Sequence, residues 1–281
     1  MTMLLTRRPS IGRAPAPLGV IAAAAFLLVL IAAGLFPWLF TPVNPLQASA
    51  VESLQGPSAA HPFGTDQAGR DVFARVVWGA QYSLIVGFGA TIIAVALGLI
   101  IGVLSGLAPR WVDGALSRTV EVLMAFPEFL VALVVITITG PGQNGIIAAV
   151  AFAALPAYAR VARVETLVVR RAGFVRSARA LGVPAFTTVV RHIVPNTLGP
   201  IVVMATIGVG TAIVSGAGLS FLGLGPAAPT PEWGVILSEG RNFLSTAWWV
   251  AVFPGLTITA TVVATSTLGR WLRARAAGRR A

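Results

Sequence analysis

From Leu18 to Phe40 the chain carries no charged side chain at all. A helix needs about 20 apolar residues to cross roughly 30 Å of hydrocarbon, so this run reads as a membrane span. Runs of the same kind follow at Tyr82 to Ala108, Thr119 to Thr139, Gly145 to Ala159, Thr197 to Leu224 and Phe243 to Leu268. Six spans and an all-α membrane fold are the expectation. The composition leaves no room for a soluble globule: 56% of residues are hydrophobic, 10% are charged, and the mean hydropathy is +0.86. A signal peptide is excluded as the reading of the first run, which exceeds an apolar core of about 7 to 15 residues and ends in Phe36-Pro37-Trp38 rather than small cleavage-site residues.

The 20 basic residues are all arginine, against 9 acidic ones, for a net charge of +11. Without lysine the chain cannot carry a P-loop, whose lysine sits on the nucleotide phosphates, nor a Schiff-base lysine. Any ATP must be hydrolysed by another polypeptide. The absence of cysteine excludes disulfides, thiol nucleophiles and thiolate-bound zinc, and no cofactor is expected. Arginine placement orients the spans, because positive residues gather on the cytoplasmic side. With the amino terminus inside, only Arg70, Arg75 and Arg241 fall outside, and every other arginine falls inside. The same alternation accounts for the basic stretches without nucleic acid.

The predicted organisation is a cytoplasmic tail over 1–17, the first transmembrane helix over 18–40 and an outer segment with an amphipathic helix over 41–81. A five-helix core spans 82–268, includes a cytoplasmic loop at 160–196, and is followed by a basic cytoplasmic tail at 269–281. In the core, Gly98, Gly102 and Gly106 recur every fourth residue, as do Gly208, Ala212 and Gly216. Small residues at this spacing let helix backbones approach closely in a bilayer.

The inner loop from Arg160 to Pro195 is patterned as two short helices. Phe174, Ala178 and Leu181 form one apolar stripe, with Arg176 and Arg179 elsewhere on the helix; Gly182 breaks it and Pro184 suits the next first turn. Phe186, Val189, Val190 and Ile193 then share a face ending before Pro195. Such a pair fits a bed of lipid headgroups and equally a knob inserted into a groove on a cytoplasmic partner.

The segment VRSARALGVPAFTTVVRHIVPNTLGP, Val175 to Pro200, resembles the EAA loop of ABC-importer permeases. Three more blocks narrow the likeness: HPFGTDQAGRDVFARVVWGAQYSL from His61, MAFPEFLVAL from Met124 and GLSFLGLGPAAPTPEWGVILSEGR from Gly218. Together they resemble the dipeptide, oligopeptide and nickel permease subfamily, especially its second permease subunit, over most of the chain beyond the first span. The resemblance implies a type I ABC importer permease architecture in a prokaryotic cytoplasmic membrane. It also implies as partners a second, homologous permease, two cytoplasmic ATPase subunits and an extracytoplasmic substrate-binding protein. Phe174, Arg176, Ser177, Ala178, Leu181 and Gly182 would couple the chain to the ATPases. The sequence departs from the pattern where Arg176 replaces the motif glutamate and Ser177 its first alanine, while Ala178 and Gly182 match. The acidic residue often found after the glycine corresponding to Gly269 is Arg270 here.

Glu128 lies inside the predicted third span, where an ionisable side chain is costly and is a functional candidate. It faces the translocation path, sits near the inner interface, or pairs with a neighbouring helix. An ion-coupled secondary transporter would need such groups near the midplane, and Glu128 is the acidic residue well inside a span. His61 and Asp66 suggest a metal or proton site less readily than a surface helix leading into the second span, in which Asp71 and Arg75 pair at i, i+4 and Val72, Phe73, Val76 and Val77 form an apolar face. Ser220 in GLSFLG has no base within reach, because His192 is placed at the opposite membrane face.

Overall fold

The computed structural model describes residues 17–278, with side chains through Arg275. The predicted tail arginines Arg7, Arg8, Arg13, Arg279 and Arg280 lie outside the described residues. The described chain is helical, with loops and one isolated bridge between Thr65 and Asp71. Five helices are long and apolar enough to cross a membrane: α1 (Leu18–Leu35), α2 (Val72–Leu107), α5 (Gln143–Val169), the helix running from Ala185 to Phe221, and α10 (Trp249–Gly278). Helices α3 (Arg110–Met124) and α4 (Glu128–Thr139) meet at 97° as a broken span or a re-entrant loop, so the described residues hold five such helices, or six crossings with the bent pair counted as one.

That bend corrects the predicted continuous span over Thr119 to Thr139. Pro127 caps α4, and the residue before a proline is disfavoured in α geometry, so the chain turns at Ala125-Phe126-Pro127. Glu128 is consequently the first residue of α4 rather than a mid-span residue, in the first turn, where the helix dipole favours a carboxylate.

The surface helix predicted ahead of the second span is also corrected. Residues 72–81 are the first turns of α2 itself, a single helix of 36 residues and about 54 Å. The Asp71 carboxylate accepts the Ala74 N–H at 2.6 Å as its N-cap, and Val72, Ala74, Arg75, Val76 and Val77 are buried. Val72 and Val76 pack with Trp233 of α9 (Trp233–Gly240), whose indole N–H donates to the Val76 carbonyl at 2.9 Å, and with Trp249 at the start of α10. Helix α5 exceeds its predicted 145–159 bounds at the inner end because Arg160, Arg163 and Glu165 are helical; α10 likewise continues through Gly269 and Arg270 to Gly278.

The glycine stripe of α2 packs against α5. A Cβ on Gly98 would stand 2.6 Å from Tyr158 Cβ, one on Gly102 would meet Ala162 and Ala159, and one on Gly106 would stand 2.7 Å from Thr166 Cγ2. Three glycines separated by one helical turn each thus touch one neighbouring helix, which is the close-packed contact the spacing predicts. The second stripe makes equivalent contacts from the helix ending at Phe221: Gly208 abuts the Tyr158 hydroxyl, and Gly216 abuts Val86 and Ile146.

At the inner end, α6 (Gly173–Ala180) closes with Gly182 at φ +75°, where the Val183 N–H bonds the Ala178 carbonyl and the Gly182 N–H bonds that of Arg179. This is a Schellman closure, and its left-handed residue suits glycine. The predicted second loop helix does not stop before Pro195. Residues Ala185–Thr188 (α7) run through a wide turn at Val189–Ile193 into α8 (Val194–Phe221). Pro195 lacks an N–H and would crowd the carbonyl one turn back; the wide turn absorbs it, and the Asn196 amide and Thr197 hydroxyl donate to the His192 and Ile193 carbonyls at 2.7 and 2.9 Å.

Candidate functional site

Helix α6 is anchored from beneath by Val175, outside the predicted stripe, and by Ala178 within it. Val175 is fully buried and packs with Val169 and Ile193, flanked by Leu107 and Val189, while Ala178 is buried beside it. The predicted stripe of Phe174, Ala178 and Leu181 is therefore divided: Ala178 faces inward, whereas Phe174 is half exposed and Leu181 is 83% exposed. Phe186, across Gly182, is 79% exposed, and Arg176, Ser177 and Arg179 are exposed too. The signal for Val175 was its i, i+3 relation to Ala178, hidden because Phe174 at i, i+4 is equally apolar.

The loop sits on a rigid floor. Arg163 of α5 donates to both Asp113 carboxylate oxygens of α3, at 2.5 and 2.7 Å, and Ser105 of α2 donates to the same carboxylate at 2.6 Å. Arg170 reaches the Gly106 carbonyl at 2.5 Å. Three helices are thus latched at their inner ends by arginines whose sequence positions only reported membrane orientation. Asp113 is the residue missed; nothing in a sequence window links it to Arg163, which is 50 positions away.

Glu128 is exposed on this chain, at the mouth of the break between α3 and α4, and Phe129 beside it lies against Gly218 of α8. Helix α4 has 12 residues, about 18 Å, less than the hydrocarbon thickness. Glu128 accordingly stands in the first turn of a helix too short to cross on its own.

The outer face carries the densest charge network. Fully buried Arg75 donates to Asp66 at 2.6 Å and to Glu239 of α9 at 2.6 Å, and Arg70 lies 3.4 Å from Asp66 and 3.7 Å from Glu239. Asp71 and Arg75 do not form the expected side-chain pair: Asp71 instead caps α2 and receives His61 Nδ1 at 2.8 Å. His61 and Asp66 belong to separate pairs, and among the described residues no group of three or more metal-ligating side chains forms. Glu232 caps α9 through the Val235 N–H at 3.0 Å, and burial pushes its carboxyl up from the usual carboxylate range. Ser220 is buried at the outer end of α8, with His192 near the inner end of the same continuous helix, about 40 Å away by rise per residue.

Residues 98–278 match the family described as "Binding-protein-dependent transport system inner membrane component". Over 255 residues the chain is 40% identical to the dipeptide transport system permease protein DppC of Alkalihalophilus pseudofirmus, covering 91% of this chain and 83% of that protein. It is 43% identical over 252 residues to the glutathione transport system permease protein GsiD of Escherichia coli, covering 89% and 83%. Among solved structures, the fold is similar to the MetNI methionine ABC transporter in inward-facing conformations, with TM-score 0.57 and 22% identity over 71% of this chain and 95% of that one. An amino acid ABC transporter crystallised with histidines gives TM-score 0.54 and 16% identity over 72% and 94%. The chain belongs to the family of binding-protein-dependent transport system inner membrane components, as a multi-pass permease subunit of an ATP-driven importer that itself catalyses no reaction.

Proposed function

We propose that this chain forms half of the translocation unit of an importer of di- or oligopeptides, or a related solute, in a prokaryotic cytoplasmic membrane. It pairs there with a second, homologous permease, and both of its termini are cytoplasmic. Two cytoplasmic ATPase subunits serve the pair, one docking on the inner loop of this chain, and an extracytoplasmic binding protein delivers the solute to its outer face. One observation carries the coupling assignment: Phe174, Leu181 and Phe186 are solvent-open apolar residues gathered on the two sides of the Gly182 turn, while Val175 and Ala178 bolt that turn to the spanning helices. Motion imposed on the turn is then delivered to α5 through Val169 and to α8 through Ile193. The dipeptide and glutathione names of the relatives support a short peptide as the solute.

Affinity isolation of the tagged chain from its native membrane is the test of the assembly. ATPase subunits, a second permease and a binding protein should co-purify, and the solute held by the binding protein should be a short peptide. Recovery of the chain alone, active in solute uptake without any ATPase, would remove the proposal.

Glu128 is assigned to the translocation path. Its place at the opening between α3 and α4 exposes its charge where a peptide ammonium would pass. Glu128→Gln is expected to lower uptake several-fold and to change its preference among peptides of different charge, with assembly intact. Uptake unchanged in rate, specificity and pH response would exclude the assignment.

A further inference from the structure

The inner ends of α2 and α5 and the short helix α6 bound a cleft of about 560 Å³ whose walls are Leu107, Arg170, Arg171, Arg176 and Arg179. Four guanidinium groups on one cleft repel one another unless an anion joins them. The acidic side chains paired nearby are already engaged, Asp113 by Arg163 and Glu121 by Arg118. Arginines at helix C-termini offset the helix dipole, and Arg170, bonded to the Gly106 carbonyl, is accounted for in that way. Arg179, in the last turn of α6, offsets that helix's dipole in the same way; Arg171 and Arg176 lie outside a last helical turn, and all three are exposed.

The depth of the cleft identifies the anion. Leu107 and Arg170 each lie 25 residues past the start of their helix's apolar run, Tyr82 and Gly145, about 38 Å along the axis, which is past roughly 30 Å of hydrocarbon and at the level of the headgroups. At 100° per residue, Arg176 and Arg179 stand on the side of α6 opposite Phe174 and Leu181. The face offered to a cytoplasmic protein and the face bordering the cleft are therefore different faces. Guanidinium forks match phosphate oxygens in pairs, and basic clefts among helix ends on the cytoplasmic side suit anionic headgroups.

We propose that this cleft binds the phosphate of an acidic phospholipid of the inner leaflet, seated by Arg171, Arg176 and Arg179 above the fixed Arg170. The replacement of the motif glutamate by Arg176 then acquires a role on the lipid side of the loop. Lipid binding by the purified chain needs no other subunit, so its outcome is independent of whether the importer assignment holds.

The test is native mass spectrometry of the full chain in mild detergent, titrated with phosphatidylglycerol, phosphatidylcholine or glycerol 3-phosphate. One phosphatidylglycerol should be retained with a preference of at least roughly tenfold over phosphatidylcholine. The exposed-site variant Arg171→Gln/Arg176→Gln/Arg179→Gln should lose that preference, and the corresponding lysine variant should keep most of it. Arg170 is left in place, and unchanged elution on size exclusion serves as the folding check for both variants. Equal retention of the two lipids, or a preference that survives the glutamine substitutions, overturns the proposal. Displacement of the lipid by glycerol 3-phosphate at matching concentration would make the ligand a free phosphate ester, also against it. Lipid preference retained with ATPase co-purification lost would assign the arginines to a protein groove instead.

Discussion

Arg75→Met should leave little folded protein: a loss of about 3–5 kcal/mol is expected from breaking one buried charge network, set against total stabilities of about 5–15 kcal/mol. Arg75 is fully buried and its two terminal nitrogens each meet a carboxylate, Asp66 and Glu239, at 2.6 Å. Removing the guanidinium leaves a wholly buried carboxylate and a mostly buried one facing each other, with only Arg70 at 3.4 and 3.7 Å to compensate. The penalty is the desolvated charge left behind rather than the energy of the pair itself. The variant Asp66→Asn/Arg70→Gln/Arg75→Met/Glu239→Gln, which also removes the Arg70 charge that pairs with the same two carboxylates, should therefore recover most of the loss, since the amide oxygen introduced at position 66 would still accept the N–H bonds of residues 68 and 70 that Asp66 Oδ1 accepts now. Thermal midpoints read by fluorescence size exclusion would check both. An Arg75→Met protein within about 0.5 kcal/mol of wild type would refute the structural role.

That network marks where sequence reasoning stopped. Membrane crossings are written in local runs, because a helix in lipid must be apolar along its own length; the runs at Leu18, Tyr82, Gly145, Thr197 and Phe243 each fall largely within a helix long and apolar enough to cross, although the first helix ends at Leu35 rather than Phe40 and the last begins at Trp249 rather than Phe243. The glycine spacing likewise encoded a real contact, α2 against α5. Charges, however, mislead at the ends of spans. Arg160 and Arg163 suggested that α5 had ended, yet Arg163 is satisfied by Asp113 of another helix and the helix continues. Arg75 suggested a wet surface for the same reason. In both cases the partner lies far away in sequence, 50 residues for Arg163 and 164 for Arg75 with Glu239. On the inner loop the turn at Gly182 was legible from local chemistry, whereas the choice between Phe174 and Val175 as the anchor was not, since it depends on which neighbour, Val169 or Ile193, is already in place.

The second large effect concerns that same loop. In the double variant Phe174→Asp/Leu181→Asp, the ATPases should fail to co-purify and uptake should fall below about a hundredth of wild type. Both residues are open to solvent, one half exposed and the other 83% exposed, so the substitutions do not disturb the packing of Val175 and Ala178 beneath α6. Burying two such side chains in a partner's groove contributes about 1.5–3 kcal/mol each, and a carboxylate forced into that groove adds a desolvation cost instead. A loss of roughly 4 kcal/mol corresponds to about a thousandfold in affinity. Val175→Asp must behave differently, since it places a charge in the buried anchor: it should loosen α6 itself and lower thermal stability, which the double variant leaves intact. Gly182→Val separates contact from transmission. Its backbone φ of +75° is strained for a β-branched residue, yet no neighbouring atom lies within 4 Å of the added Cβ, so the apolar surface survives while the turn that orients it is distorted. ATPase binding that persists in Gly182→Val with uptake uncoupled from hydrolysis would assign the glycine turn to force transmission. ATPase binding and uptake at wild-type level in the double aspartate variant would show that the exposed apolar cluster is not where the engine attaches.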